Sequence, residues 1–175
     1  FHPDSYGYRP KRSAHQALEQ VRNNCWKYDW VIDLDIKNFF DEIDHVKLLK
    51  ALNKHVEEKW IFEYIKRWLN APLQTKEGEV IARTKGTPQG GVISPLLANL
   101  YLHYTLDVWL KTIDSSIKFV RYADDIIIHC LTKTQAEKSL QKIKERVEDC
   151  GLRLHPDKTK IVYCKDFKRR QKYRE

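Results

Sequence analysis

A chain of 175 residues is long enough to form one domain with a sizeable core. Hydrophobic residues make up 42% of the sequence and charged residues 32%, a balance that excludes an intrinsically disordered protein. The sequence has no apolar run long enough to span a bilayer and no signal peptide. We therefore expect a soluble globular domain without a membrane partner.

The charge balance favours a polyanion as the partner. The chain carries 32 Lys and Arg against 24 Asp and Glu, a net charge of +8, and half of the excess lies in the tail 165–175. This pattern is typical of nucleic-acid binding, although a solvated tail without a partner would give it too. The four cysteines lack the spacing of a zinc site, which favours reduced thiols in a cytoplasmic protein.

The first half of the chain predicts helices around one strand. Ser13 and Gln16 resemble a capping box ahead of a helical apolar stripe. A strand is expected at 29–36, where apolar residues alternate with others. Asp44 is predicted to cap a second helix, a third helix follows, and 73–83 resembles a hairpin.

The second half predicts a hairpin between two helices. After a glycine-rich loop at 86–91, Ser94 is expected to cap a helix that has Pro95 at its first position. Strands at 118–123 and 126–130 are short, apolar and joined by a tight turn. A helix and a last strand complete the sequence.

The predicted order, with the insertion 37–93 set aside, is strand, helix, strand, strand, helix, strand. The last helix covers 133–149 and the last strand 160–164. This order is the ferredoxin-like pattern, which RNA-recognition domains also use. A right-handed crossover makes the first two strands parallel and places the third between them. The predicted class is α+β, an antiparallel βαββαβ sheet with helices on one face.

Two acidic clusters follow strands of this sheet. Asp35 ends the first strand, and Asp124 and Asp125 occupy the tip of the hairpin, so the topology brings them together. Mg²⁺ prefers such oxygen ligands, and two such ions support phosphoryl transfer. We expect Asp33, one repeat back along the strand, to be structural. The alternative is that the hairpin carboxylates are ordinary turn residues.

Five motifs occur in order along nearly the whole chain. They are Tyr6–Ser13, Asp35–Asp41, Gly86–Asn99, Tyr122–Asp125 and Gly151–Thr159. The series resembles the boxes of reverse transcriptases, above all those of bacterial group II intron-encoded reverse transcriptase–maturases. The resemblance implies a polymerase palm with a partial, mainly helical fingers subdomain. It also implies copying of RNA into DNA in the bacterial cytoplasm.

The resemblance divides the chain into parts of that enzyme. The fingers portion would be 1–28 and 37–93, the palm 29–36 and 94–164, and the basic tail 165–175. Because the chain begins at Phe1 and matches no primer grip or thumb, we interpret it as a fragment whose own activity is doubtful. Apolar surfaces left bare could pair two copies into a homodimer.

The resemblance also assigns catalytic and metal-binding roles. Two Mg²⁺ ions, for which Mn²⁺ can substitute, would be held by the carboxylates of Asp35, Asp124 and Asp125 and the backbone carbonyl of Ile36. Asp35 and Asp124 would bridge the ions, with Asp125 as a secondary ligand or an orienting group.

Further residues would contact the incoming dNTP. Phe40 occupies the steric-gate position, where its ring would collide with a ribose 2′-hydroxyl; the alternative is a core aromatic beside Phe39. Gln89 and Gly90 would lie at the nucleotide. Lys158 would approach its phosphates, where it could act as general acid; the alternative is a solvated lysine.

The RNA template, an intron RNA in this family, would meet four other residues, and a DNA or RNA primer would pair with it. These residues are Gly91, Arg9, Lys11 and Arg12. Surface charge explains the three basic residues equally well, and an ordinary turn would explain the glycines.

Other functions remain open from the sequence. A nucleotidyl cyclase could share the palm but not the Gly86–Gly91 loop. A non-catalytic RNA-binding maturase module would be signalled by loss of Asp35 or Asp124, and both are present. Retron, CRISPR-associated and phage-defence reverse transcriptases share the same palm.

Overall fold

The computed structural model describes residues 1–74, 78–88 and 90–165. The helices are α1 (Ala14–Cys25), α2 (Phe39–Glu42), α3 (His45–Leu52), α4 (Lys59–Leu69), α5 (Ser94–Leu102), α6 (Val108–Ile113) and α7 (Lys133–Asp149). The strands are β1 (Trp30–Leu34), β2 (Leu73–Gln74), β3 (Val80–Ile81), β4 (Lys118–Tyr122), β5 (Asp125–Cys130) and β6 (Lys160–Tyr163). A π-helical segment, His103–Asp107, joins α5 to α6.

The main sheet has the strand order β4-β5-β1-β6, with every neighbouring pair antiparallel. Because β1 and β4 are both antiparallel to β5, they run parallel to each other with β5 between them. This is the arrangement predicted from the crossover rule. No helix within the described ranges has the length and apolar character that crossing a bilayer requires.

The core lies between one face of this sheet and helices α5 and α7. Ile32 of β1 and Ile128 of β5 are fully buried there against Leu97 and Ile143. Val120 faces the opposite side, because side chains alternate along a strand, and it packs with Ala17 of α1. The palm helices therefore share one face, and α1 covers the other face at the edge strand β4.

Local signals predicted most helix ends correctly. Ser13 Oγ accepts a hydrogen bond from the Gln16 amide, and the Gln16 side chain accepts one from the Ser13 amide. Asp44 caps α3 by accepting from the amide of Lys47 at 2.9 Å. Gly151 follows α7 with φ +80°, the left-handed conformation that ends many helices.

The prediction that Ser94 caps α5 was wrong. The helix begins at Ser94 itself, with Ile93 in the cap position and Pro95 one residue later. The Ser94 hydroxyl donates instead to the carbonyl of Pro88, 2.5 Å away. It therefore ties the start of the helix to the glycine-rich loop rather than to the helix's own amides.

The small hairpin is shorter than the predicted 73–83. Leu73 pairs with Ile81 and Gln74 with Val80. The sequence predicts the turn at Glu77-Gly78, of which Glu77 lies outside the described residues.

Candidate active site

The hairpin between β4 and β5 closes through a two-residue turn. Tyr122 pairs with Asp125, so Ala123 and Asp124 are the central residues and Asp125 is the first residue of β5. Ala123 has φ +57°, a conformation that side chains disfavour and that tight hairpin turns nevertheless require. This geometry places the two aspartates at the end of the sheet.

Asp35 lies at the same end of the sheet, just after β1. The last residue pair between β1 and β5 is Leu34 with Ile126, and the next residues outward are Asp35 and Asp125. The structure thus brings together the three carboxylates that the topology predicted to converge.

The carboxylates at this end of the sheet affect the ionisation of Asp125. The pKa of the Asp125 carboxyl is raised, first by partial loss of solvent and then by the negative charges of Asp124, Asp35 and Asp33. The ammonium of Lys158 acts in the opposite direction. Asp33, which we predicted to be structural, therefore adds negative charge to the site even though it lies further back on β1.

The motif after α7 holds the end of β1 in place. The Asp35 carbonyl accepts a hydrogen bond from the amide of His155 at 2.8 Å, and Ile36 forms an isolated bridge with Leu154. Lys158 Nζ lies 3.7 Å from Asp35 Oδ2. Because the Lys158 side chain is 64% exposed, this ion pair contributes little to stability and the ammonium can move towards other anions.

A divalent cation fits the donor chemistry of this edge. The three aspartates offer oxygen ligands and an excess of negative charge, which Mg²⁺ or Mn²⁺ would neutralise. Within the described residues, no group of three or more His, Cys, Asp or Glu side chains is arranged to hold a metal ion by itself. Water and substrate phosphates would have to complete the coordination.

Phe40 joins this edge to the glycine-rich loop. Its ring is half-buried and meets the buried Phe39 edge-on, with 5.3 Å between ring centroids. Its carbonyl accepts a hydrogen bond from Thr87 at 2.8 Å, and a ring nitrogen of His45 lies 2.7 Å from the carbonyl of Gly86. Phe39 is thus the core aromatic, while Phe40 keeps part of its ring open to solvent.

The glycines of the loop have different surroundings. Gly90 has φ +82° and is exposed, with no atom within 4 Å of the position a Cβ would take. A Cβ on Gly91 would lie 2.7 Å from Trp68 and 2.8 Å from the Ser94 hydroxyl. Internal packing therefore already explains glycine at 91, and the template contact there stays a prediction. Gln89 lies outside the described residues.

The basic residues of the first motif do not all face solvent. One nitrogen of Arg9 donates to the carbonyls of His2 and Ser5, each at 2.6 Å, so this side chain organises the N-terminal segment. Lys11 and Arg12 are exposed, and the Arg12 guanidinium lies 5.1 Å from the centroid of the Tyr6 ring. Their cationic groups remain accessible to a phosphate.

Sequence analysis missed a buried ion pair behind the turn. Arg121 of β4 and Asp107 of the π-helical segment are both fully buried, with Nη2 2.6 Å from Oδ2. The signal was present, since Arg121 interrupts an apolar strand and Asp107 an apolar helical stretch. A charge within an apolar pattern is buried only with a partner.

Comparison with known proteins identifies the family. The family model described as reverse transcriptase (RNA-dependent DNA polymerase) matches residues 1–173. The chain belongs to the reverse transcriptase family. The resemblance of the five motifs to those of reverse transcriptases is therefore confirmed.

Related proteins of this reverse transcriptase domain are encoded in introns. It is 39% identical over 103 residues to the group II intron-encoded protein LtrA of Lactococcus lactis subsp. cremoris, covering 59% of this chain and 17% of LtrA. It is 38% identical over 119 residues to an uncharacterized 91 kDa protein in the cob intron of Schizosaccharomyces pombe, covering 68% of this chain and 14% of that protein. The chain thus spans about a sixth of the length of these curated relatives.

Solved structures confirm the fold of the reverse transcriptase domain. Telomerase from Candida tropicalis in complex with a fragment of telomeric RNA matches with a TM-score of 0.71 and 16% identity, covering 93% of this chain and 30% of the telomerase chain. The same telomerase truncated from its C-terminal domain matches with a TM-score of 0.72 and 18% identity, covering 91% of this chain and 36% of that chain. The predicted polymerase palm is confirmed.

Proposed function

We propose that this domain carries the polymerase site of an RNA-directed DNA polymerase of the group II intron type. The reaction would transfer dNTPs onto a primer 3′-hydroxyl that is paired with an RNA template. The observation that carries the proposal is the meeting of Asp35, Asp124 and Asp125 at one sheet edge in a chain of the reverse transcriptase family. The intron-encoded relatives favour the group II type over retron or defence enzymes.

The carboxylates of Asp35 and Asp124 would hold two Mg²⁺ ions, with Asp125 and the carbonyl of Ile36 as further ligands. Such ions activate an attacking oxygen and stabilise the leaving one in phosphoryl transfer. Asp125 contributes negative charge to this end of the sheet, where loss of solvent and then the charges of Asp124, Asp35 and Asp33 raise the pKa of its carboxyl. Lys158, whose ammonium lies 3.7 Å from Asp35 Oδ2, would meet the phosphate charge.

Substrate selection would rest on Phe40 and on the glycine-rich loop that its carbonyl anchors. The half-buried Phe40 ring packs against Phe39, and this contact would limit its rotation away from a 2′-hydroxyl. Gln89 and Gly90 would contact the nucleotide. The template would pass Gly91 and the exposed cations of Lys11 and Arg12, with Arg9 supporting their segment.

The decisive experiment is Asp124→Asn in the protein that carries this domain with its flanking regions. Primer extension should fall by orders of magnitude, while affinity for RNA stays nearly unchanged, because only a metal ligand is lost. The matched control is Glu137→Gln, which removes one carboxylate on α7, and it should leave extension intact. Extension at the wild-type rate by Asp124→Asn would remove Asp124 from the polymerase site, whereas no extension by the unmutated protein would favour a non-catalytic RNA-binding maturase.

A further inference from the structure

A hydrogen-bonded network lies directly behind the acidic turn. Arg121 binds Asp107 through two parallel contacts, Nε to Oδ1 at 2.8 Å and Nη2 to Oδ2 at 2.6 Å. Its remaining nitrogen, Nη1, donates to the Asn99 side chain at 2.8 Å and to the carbonyl of Ala123 at 2.9 Å. The guanidinium therefore connects the helical layer to the turn itself.

Asn99 of α5 extends the network to the N-terminal segment. Its Oδ1 accepts from Arg121, and its Nδ2 donates to the carbonyl of Gly7 at 2.7 Å. Gly7 in turn packs against the turn, since a Cβ there would lie 2.2 Å from the amide nitrogen of Ala123. The carbonyl of Ala123 thus accepts a hydrogen bond from Arg121, and Gly7 packs closely against its nitrogen.

This double contact acts on a residue in an unfavourable conformation. A left-handed φ is unfavourable for an alanine, so the turn would relax without contacts that stabilise it. The next two residues are Asp124 and Asp125. A shift in the Ala123 carbonyl would therefore move both carboxylates relative to Asp35, which is fixed on another strand.

The buried charges are better explained by position than by stability. A buried ion pair is often no more stabilising than apolar residues of the same volume, because both charges lose their water. Here every contact is directional, and the acid comes from the π-helical segment. Burial alone would raise the pKa of Asp107, but the hydrogen bonds from Arg121 and the nearby His103 ring, whose Nδ1 lies 3.5 Å from Oδ2, outweigh burial and hold the pKa below its ordinary value. The pair stays charged and keeps its geometry.

We propose that Asn99, together with Arg121 and Asp107, is a positioning residue for the carboxylates of the acidic turn. Asn99 fixes the Ala123 carbonyl indirectly, by accepting a hydrogen bond from Arg121. It fixes the Gly7 carbonyl directly, by donating a hydrogen bond from its side-chain amide. This inference rests on the proposed polymerase function of Asp35, Asp124 and Asp125.

The first test is single-turnover primer extension by Asn99→Ala in the protein that carries this domain. The maximal rate should fall roughly 10–100-fold, as supporting residues of metal sites typically show, while the KM for dNTP and the affinity for RNA stay nearly unchanged. The matched control is Asn24→Ala, which removes another buried asparagine, bonded to Gln20 at 3.1 Å in α1. It should destabilise the fold without changing the rate.

A second readout uses the 175-residue chain and no turnover. Mn²⁺ titration followed by electron paramagnetic resonance should show weaker binding for Asn99→Ala than for Asn24→Ala, with Asp124→Asn as the baseline. If Asn99→Ala does not fold, two conservative variants replace it. Asn99→Asp keeps the acceptor for Arg121 and should retain part of the rate, whereas Arg121→Lys loses the planar fork and should lose most of it.

The outcomes separate the two proposals. Extension and Mn²⁺ binding by Asn99→Ala that equal those of Asn24→Ala, with Asp124→Asn inactive, would overturn the positioning role alone. An active Asp124→Asn would overturn the assignment of the acidic turn to the polymerase site, on which that role depends. A rate loss confined to Asn99 and Arg121 variants, partly rescued by Asn99→Asp, supports positioning.

Discussion

Phe40 shows at the scale of one residue how packing can prepare selectivity. Its ring is half-buried, packs against the main core and meets the Phe39 ring edge-on. A ring that cannot turn away is a better steric barrier than a freely rotating one, because yielding would cost packing contacts as well as rotamer strain.

We expect Phe40→Ala in the protein that carries this domain to admit rNTPs, because the clash with the 2′-hydroxyl would be gone. The preference for dNTP over rNTP, measured from kcat/KM for each, should fall, while use of dNTPs is kept. Phe62→Ala serves as the control, since Phe62 is also a half-buried aromatic packed on the core, but in α4. A selectivity unchanged in Phe40→Ala would return Phe40 to a purely structural role.

Asp125 makes a second prediction, on pH dependence. Its folded-state pKa is raised above the ordinary value of 3.8, so the ionised carboxylate is less favourable in the folded chain than in the unfolded one. This destabilisation is present at neutral pH and disappears as pH falls below 3.8, where both states are protonated.

Asp125→Asn should therefore raise the thermal unfolding midpoint at neutral pH, and the gain should vanish in acid. Circular dichroism melts at pH values from neutral to below 3.8 measure this difference in unfolding midpoint. Glu137→Gln, at an exposed site paired with Lys133, should give no such gain. A midpoint that does not rise in Asp125→Asn at neutral pH would contradict the crowding of carboxylates at this edge.

At the scale of elements, the N-terminal segment supports the edge strand β4. The amide of Tyr6 donates to the Arg121 carbonyl at 2.8 Å, and the Arg121 amide donates to the carbonyl of Asp4 at 2.9 Å. These bonds satisfy backbone groups that an edge strand would otherwise leave open. They also bring Gly7 against the turn, so the first motif and the acidic turn form one structural unit.

Gly7→Ala should accordingly disturb the hairpin tip, because the new Cβ would lie 2.2 Å from backbone. Overpacking of this kind costs roughly 1–3 kcal/mol of unfolding free energy, which urea titration measures. Gly78→Ala is the control: it meets no atom within 4 Å and carries only the penalty of its φ of +87°. If Gly7→Ala cost no more than Gly78→Ala, the close approach to Ala123 would not constrain the turn.

At the scale of the whole molecule, the net charge of +8 favours association with a polyanion such as RNA. We expect the 175-residue chain to bind single-stranded RNA with an affinity that falls linearly on a logarithmic scale as salt rises, because counterions are released from phosphates. Fluorescence anisotropy at several salt concentrations measures this slope. An affinity independent of salt would show that the charge takes no part in binding.

The same chain should not extend a primer detectably, although its carboxylates converge. Positioning of reactants can account for roughly 7–11 kcal/mol of barrier lowering, and the chain spans only about a sixth of the length of its curated relatives, so we expect segments outside it to help hold the primer. A primer-extension gel, with the longer protein as the positive control, tests it. Robust product from the 175-residue chain would show that those segments are dispensable.

The sequence by itself determined the architecture, because its signals are either local or set by general topology. Capping of α1 by Ser13 and of α3 by Asp44 depends only on neighbouring residues. The apolar alternation and the handedness of crossovers sufficed to place Asp35 beside the hairpin tip.

Only the tertiary structure decided which polar groups share the interior. Arg121 is hydrogen-bonded to Asp107 and Asn99, which lie on two other elements. The Ser94 hydroxyl is bonded to Pro88 in the loop rather than to its own helix. Local pattern shows that a charge sits in an apolar stretch, but not which distant partner will meet it there. The cost of burying a polar group depends on partners that the complete fold alone brings within hydrogen-bonding distance.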